Sequence, residues 1–146
     1  MALLSTTECD QILQAIAAAE RRTSGEIRVH VERFCPIDPM QRASQVFFQL
    51  GMHQTDLQNG CLLYLAMEDR KFAILGDKGI DARVPHDFWN DIKSAMKPHL
   101  SAAAYATALA LGVSRIGEAL SAYFPYEKGD VNELSDAISF GPDASV

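Results

Sequence analysis

The sequence predicts an α/β fold, a single α/β/α sandwich in which a small mixed β-sheet is covered by helices on both faces. Three observations indicate this fold. Helical and strand patterns alternate along the chain. Segment 61–67 is almost wholly apolar, as expected for a central strand buried on both faces. Segment 72–75 follows it across a short charged turn, so the two segments should pair antiparallel.

The first helix and the first strand have clear signals. Ser5 followed by Glu8 forms a capping box, so a helix begins there, and Gly25 is expected to close it. Residues 26–33 then alternate polar and apolar side chains, which predicts a strand. Its even positions carry charged or titratable groups, so we expect that face to lie toward solvent or a thin cover.

Proline and glycine mark the remaining helices. A second helix is predicted over 40–50, ending at Gly51, and a third begins at Pro85 and ends at Pro98. A long helix over 102–123 stops at Pro125. The chain of 146 residues fits one domain. We therefore assign residues 1–125 to a single domain and residues 126–146 to an acidic C-terminal tail.

Composition excludes some partners. The net charge is −6, and the tail supplies −4 of it through five acidic residues against Lys128. Without a basic patch, duplex nucleic acid is not an expected partner. No apolar run is long enough for a membrane span, and the N-terminus lacks secretory features, so a cytoplasmic location is predicted. Cys9, Cys35 and Cys61 are odd in number and lack CxxC spacing, which favours a reducing compartment. A Cys9–Cys35 disulfide stays open as an alternative.

The common catalytic motifs are absent from the sequence. There is no GxGxxG, no GxxxxGK[ST] and no GxSxG. A cysteine phosphatase needs arginine six residues after the nucleophile, but Gln41 stands there after Cys35. The four histidines have no metal-ligand spacing. The sequence alone therefore leaves open whether the protein is an enzyme.

A loop rich in glycine and aspartate is the best candidate metal site. Gly76 and Gly79 allow a tight bend, and Asp77 and Asp81 offer hard oxygen ligands. Asp87 could join them if the loop folds over the start of the third helix. This donor set suits Ca²⁺ or Mg²⁺. The alternative is that Asp77 and Asp81 only cap turns, as aspartate beside glycine often does.

Other polar residues flank the same hairpin and form a candidate cleft. Asp56 and Asn59 lie in the loop that leads into the central strand. Ligands of open α/β sheets bind at strand ends, so this loop is a candidate wall. Asp69 and Arg70 occupy the hairpin turn, where the alternative is a simple solvated pair, and Lys78 follows the second strand.

Several short segments together resemble the TPM domain family. They are Ser24-Gly25-Glu26, Asn59-Gly60, Asp69-Arg70-Lys71 and Gly76-Asp77-Lys78-Gly79-Ile80, within a stretch from about Thr7 to Phe124. The family is named after a thylakoid lumen protein, a photosystem repair factor and a modulator of acetylcholine receptors. Asn132-Glu133-Leu134 resembles the ending of its small bacterial members. The resemblance implies an α/β/α sandwich, with acid phosphatase activity in some members and divalent-metal binding in others.

Three functions follow as hypotheses. The first is a non-catalytic TPM-like domain that binds a divalent cation or a protein partner through acidic loops. The alternative is a metal-dependent acid phosphatase-like hydrolase of phosphomonoesters, in which Arg70 or Lys78 holds the phosphate oxygens. The third is an interaction module whose acidic tail docks on a basic partner. We favour binding without catalysis, because the sequence supplies no nucleophile–base pair.

Overall fold

The computed structural model describes residues 3–127 and 137–141 of the chain. Within these residues the helices are α1 (Thr6–Glu20), α2 (Pro39–Gln49), α3 (Lys78–Asp81), α4 (Asn90–Ser101) and α5 (Tyr105–Leu120), and Met52–Gln54 form a short 3-10 turn. The strands are β1 (Glu26–Glu32), β2 (Gly60–Ala66), β3 (Lys71–Gly76) and β4 (Ser139–Phe140).

The strands form one open mixed sheet in the order β3-β2-β1-β4. β1 runs parallel to β2 and to β4, and β2 runs antiparallel to β3. In this register Ile27 lies opposite Cys61, and Leu63 lies opposite Ile74. The hairpin predicted across the charged turn is therefore confirmed, as is the mixed sheet with helices packed on it.

Two hydrophobic cores lie on opposite faces of the sheet. The larger one fills the space between the sheet and helices α1, α4 and α5. The smaller one lies beneath α2, where Leu62, Tyr64 and Ala66 of β2 contact Val46 and Phe47 of the helix. β2 is buried along its whole length because it contributes alternate side chains to both cores. This is the arrangement that its apolar sequence predicts.

The first helix begins as predicted. The Glu8 amide donates to the Ser5 hydroxyl at 3.1 Å, and the Ser5 amide donates to the Glu8 carboxylate at 2.9 Å. This capping box satisfies two amide groups that a helix start leaves without a partner. The helix ends at Glu20, earlier than Gly25, and Arg21 caps it.

The third helix begins and ends later in the structure than the sequence predicts. Pro85 opens a turn, in which the Phe88 amide donates to its carbonyl at 3.0 Å, and α4 itself begins at Asn90. Pro98 does not end the helix but lies inside it. Proline lacks one amide hydrogen, and so near the end of a helix it forfeits a single hydrogen bond. The helix therefore continues for one more turn, to Ser101.

The polar face of β1 does not lie toward solvent, so of the two expected surroundings, solvent or a thin cover, the first is wrong. Glu26, His30 and Glu32 are each less than 5% exposed, and Arg42 of α2 pairs with Glu32 on this side. The alternation of β1 correctly predicts which residues share a face. It cannot show that a helix packs over that face and supplies a counter-charge.

The end of the described chain adds one element that the sequence analysis did not predict. β4 pairs with β1 at His30 and Val31, inside the segment assigned to the acidic tail. The tail residues Asp130, Glu133, Asp136 and Asp143 lie outside the described residues, as does the segment Asn132-Glu133-Leu134.

Two further expectations concern a possible disulfide and a membrane span. Cys9, Cys35 and Cys61 are all free thiols, so the structure does not contain the Cys9–Cys35 disulfide. Among the helices of the described residues, none is both long and apolar enough to cross a bilayer.

Candidate functional site

Three neighbouring backbone positions bring two acidic residues to one edge of the sheet. Glu26 at the start of β1 lies opposite Gly60 at the start of β2. The Asp77 amide, just beyond β3, donates to the Gly60 carbonyl at 2.9 Å and so extends the same row. Residues opposite each other in neighbouring strands share a face, so Gly60 separates two carboxylate side chains. We call this row of Glu26, Gly60 and Asp77 the acidic edge.

Gly60 lets Met52 and Phe47 pack closely against the middle of the acidic edge. A Cβ atom at this position would lie 3.1 Å from the Met52 carbonyl oxygen and 3.5 Å from the Phe47 ring. Any larger residue would therefore press against Met52 and Phe47. The Met52 carbonyl oxygen is the atom nearest to this position.

The two oxygens of Asp77 have different surroundings. One oxygen accepts a hydrogen bond from the Lys78 amide at 2.8 Å and caps α3, which agrees with the turn-capping alternative. The other oxygen, Oδ2, is buried and has no hydrogen-bond partner. Buried polar atoms are nearly always paired, so this atom needs an explanation. It is the one feature of the acidic edge that points toward a ligand.

Asp81 lies near enough to Asp77 for their charges to interact. Partial burial raises the pKa of Asp81 above its ordinary value, and the negative charge of Asp77 raises it further. Asp81 also raises the pKa of the buried Cys61 thiol, for which burial is the larger cause. Two carboxylates that repel each other in this way are each stabilised by a shared cation.

Asp87 is not brought to this pair. It is exposed and lines a separate groove between α4 and α5, together with Arg115 and Glu118. Among the described residues, no group of three or more histidine, cysteine, aspartate or glutamate side chains is arranged to hold a metal ion. The structure therefore brings together Asp77 and Asp81, but not all three predicted metal ligands.

The other predicted cleft residues separate into structural and exposed positions. Asn59 is buried, and its side-chain amide donates to the Ser24 carbonyl at 3.3 Å, which ties the starts of β1 and β2 together. Asp69 accepts from the Cys35 amide at 2.6 Å. Asp56 and Lys78 are exposed. Arg70 is exposed as well and lines a groove on the opposite face of the sheet from α2.

A second polar cluster lies beneath α2, and the sequence analysis did not predict it. The Glu32 carboxylate accepts from the Arg42 guanidinium at 2.9 and 3.0 Å, from His30 Nε2 at 3.0 Å and from the Tyr64 hydroxyl. His30 Nδ1 in turn lies 2.8 Å from the Ser139 hydroxyl of β4. The one sequence signal was Arg42, which stands four residues before Val46 and so extends the buried stripe of α2.

The pKa values in this cluster follow from burial and hydrogen bonding. Burial alone would raise the pKa of Glu32, but hydrogen bonds from Arg42, Tyr64 and His30 outweigh it and lower the value to about 2. Burial lowers the pKa of His30, although the Glu32 hydrogen bond opposes this. Burial also raises the pKa of Tyr64. At neutral pH the cluster therefore holds one carboxylate, one guanidinium and a neutral imidazole.

The order Ser139, His30, Glu32 matches the order of nucleophile, base and orienting acid in hydrolases. The surroundings do not favour catalysis. Glu32 is shared with Arg42 and Tyr64, and neither of the two grooves described above is lined by Ser139. The arrangement is better explained as a cross-link that holds β4 and α2 against the sheet.

Comparison with known proteins identifies relatives. The TPM domain matches residues 1–119. The structure of the BA42 protein from the psychrophilic bacterium Bizionia argentinensis is similar to this chain, with 44% identity and a TM-score of 0.90 over 95% of this chain and 96% of that one. No protein with a curated function matches the sequence.

Two more distant structures share the fold alone. The N-terminal domain of the cg2496 protein from Corynebacterium glutamicum has 17% identity and a TM-score of 0.63, covering 93% of this chain and 80% of that one. The N-terminal domain of a P. gingivalis protein has 20% identity and a TM-score of 0.66, covering 86% of this chain and 82% of that one.

The family match extends over most of the chain, including all four segments on which the resemblance was based. BA42 adds a similarity of both sequence and fold over nearly the whole length. The resemblance inferred from short motifs is thereby confirmed, and the chain belongs to the TPM domain family.

Proposed function

We propose that this TPM domain is a non-catalytic binding module whose acidic edge binds a hard divalent cation, Ca²⁺ or Mg²⁺. The observation that carries the proposal is the buried Asp77 Oδ2 atom without a hydrogen-bond partner. A cation bound to this oxygen would compensate for the hydrogen bond it lacks. Asp81 supports the same assignment, since it lies close enough for its carboxyl group to interact with the charge of Asp77.

The donor set indicates the class of cation. The carboxylate oxygens of Asp77 and Asp81 are hard ligands, which Ca²⁺ and Mg²⁺ prefer. Mg²⁺ in particular is held by one or two carboxylates and keeps several of its waters. A site with so few protein ligands is expected to be weak, with a dissociation constant in the millimolar range.

A metal titration of isotopically labelled protein, followed by backbone amide shifts, tests the site. Saturable shifts centred on residues 76–81 are expected with Ca²⁺ or Mg²⁺. Asp77→Asn should abolish them, and asparagine also caps helices, so α3 is expected to stay folded. Asp10→Asn, an exposed position on α1, is the matched control and should bind as the original chain does.

Two outcomes would count against the proposal. Equal shifts in the Asp77→Asn variant would place the metal elsewhere, and the absence of saturable shifts would remove the site. Asp87→Asn adds a separate test, because its groove does not include Asp77 or Asp81 and the variant is expected to retain full binding.

Binding is favoured over hydrolysis because Cys35, the cysteine that comes nearest to the phosphatase spacing, is not accessible as a nucleophile. Cys35 is fully buried, and its thiol donates to the Ile37 carbonyl at 3.2 Å. Phosphatase activity remains the alternative. If p-nitrophenyl phosphate were hydrolysed with added metal and Asp77→Asn abolished the reaction, the same site would be catalytic. A protein partner for the acidic loops stays a prediction.

A further inference from the structure

A groove of about 250 Å³ opens where the β2–β3 turn meets the corner between α4 and α5. It lies near the carboxyl end of β2, the side of an α/β sheet on which ligands are usually bound. The groove is far in the fold from the acidic edge, which is formed at the opposite end of β2. Its lining residues are Leu65, Arg70, Phe72, Leu100, Ser101 and Tyr105.

Arg70 is the only charged residue in this lining. Among the described residues, none forms a hydrogen bond or an ion pair with its side chain. The two acidic neighbours in the turn are engaged elsewhere, since Glu68 pairs with Arg33 at 3.2 Å and Asp69 accepts from the Cys35 amide. The guanidinium is therefore available to an anion, and it is well shaped for the two oxygens of a carboxylate.

The rest of the lining is apolar, with two hydroxyl groups. Leu65, Phe72 and Leu100 supply hydrocarbon surface, and Ser101 and Tyr105 supply donors beside it. A mostly apolar pocket with a few placed polar groups is the usual composition of a small-molecule site. A free phosphate or metal ion would leave this apolar surface uncovered.

Both walls of the groove contain a residue other than glycine in a left-handed backbone conformation. Arg70 has φ of 54°, and Ala103, between the lining residues Ser101 and Tyr105, has φ of 59°. Such conformations are uncommon for residues with a Cβ atom and occur at turns and at functional positions. Here the one at Arg70 sets the position of the only charged side chain.

We propose that this groove binds a small carboxylate that carries a short apolar chain. Arg70 pairs with the carboxylate, and the chain lies on Leu65, Phe72 and Leu100. The volume equals about eight water molecules at roughly 30 Å³ each, which matches a chain of about six carbons with its carboxylate. The proposal is independent of cation binding at the acidic edge.

Hexanoate titrated into the labelled protein is the direct test, with hexanol as an uncharged probe of similar length. Saturable shifts at Leu65, Phe72, Leu100 and Tyr105 are expected at millimolar hexanoate. Hexanol should bind about tenfold or more weakly, because it lacks the charge-assisted hydrogen bonds. Inorganic phosphate, as an anion without a chain, should not shift the three apolar lining residues.

The Arg70→Gly variant removes the guanidinium group and is expected to leave the fold intact. Glycine accepts the left-handed conformation, so this variant should fold at least as stably as the original. It is expected to weaken hexanoate binding about tenfold or more. Arg115→Gln, an exposed arginine in the other groove, should leave binding unchanged.

Undiminished hexanoate binding in Arg70→Gly would overturn the proposal, as would equal binding of hexanol. Shifts that keep rising without saturation up to tens of millimolar hexanoate would show that the groove is not a site. Phosphate shifts at all the lining residues would replace the proposal with a general anion site.

Discussion

At the scale of single residues, Glu32 stabilises the packing of three elements. Its donors are His30 on the same strand, Arg42 on α2 and Tyr64 on β2. The lowered pKa of about 2, against 4.5 for an unperturbed glutamate, shows that the folded chain strongly favours the charged form. A difference of this size corresponds to about 3 kcal/mol of folding stability at neutral pH.

The Glu32→Gln variant tests this contribution. Glutamine keeps the size of the side chain but removes the charge that compensates the partly buried Arg42 guanidinium. We expect the free energy of unfolding at neutral pH to fall by about 3 kcal/mol, because a buried ion pair that loses one partner leaves the other uncompensated. Urea denaturation measures the change.

Glu118→Gln is the control for this experiment, because Glu118 is exposed on α5. It should alter the free energy of unfolding by less than about 0.5 kcal/mol. A loss below about 1 kcal/mol in Glu32→Gln would mean that the cluster contributes far less than its hydrogen bonds indicate.

The same cluster shows what single residues reveal before a structure is known. The alternation of β1 correctly placed His30 and Glu32 on one face, and charged side chains made that face look solvated. What decided its burial was Arg42, ten residues later, which neutralises Glu32 once α2 lies on the sheet. Strand periodicity carries no information about such a partner, because the pairing depends on tertiary packing.

At the scale of elements, β4 is the strand that sequence patterns could not predict. It is two residues long, and its apolar content is too small for a periodic signal. It is held instead by contacts with β1. The Gly141 amide donates to the Val31 carbonyl at 3.0 Å, Arg28 Nε donates to the Ala137 carbonyl at 3.4 Å, and Ser139 lies beside His30.

Gly141→Ala should weaken the pairing of β4. A Cβ atom at this position would lie 2.4 Å from the Cβ of Glu32 and 2.7 Å from its Oε1, so one of the two must move. Overpacking of this kind typically costs about 1–3 kcal/mol. We expect a loss of stability in that range, together with faster amide hydrogen exchange at residues 140 and 141.

Gly51→Ala is the matched control for Gly141→Ala, because this glycine is remote from β4. Its φ of 72° makes alanine strained there, so stability should also fall, but exchange at residues 140 and 141 should not change. Unchanged exchange in Gly141→Ala would indicate that β4 is held independently of its contact with Glu32.

At the scale of the whole molecule, the sheet separates a large apolar core from a smaller one that includes the polar cluster. The large core explains why the fold class was predictable, since the apolar stripes of α1 and α5 and one face of β2 all pack in it. The sites were less predictable. Asp77 was recognised from its glycine-rich loop, whereas the groove at Arg70 depends on a turn and a helix corner that are distant in sequence.

Acid is expected to destabilise the whole molecule in two stages. Burial lowers the pKa of His30, so below about pH 6.5, its ordinary value, the unfolded chain takes up a proton that the folded chain does not. The contribution of His30 to the free energy of unfolding is therefore fully present above about pH 6.5. It declines as the pH falls toward the pKa of His30 in the folded chain. Glu32 follows, with its contribution lost between pH 4.5 and about 2.

Urea denaturation across this pH range, repeated in two variants, assigns each stage. His30→Gln should remove most of the decline that begins near pH 6.5, and Glu32→Gln should flatten the decline below pH 4.5. His86→Gln, an exposed position, should leave both stages in place. If the first stage survived in His30→Gln, the polar cluster would not be its source, and acid would then weaken the fold at another group.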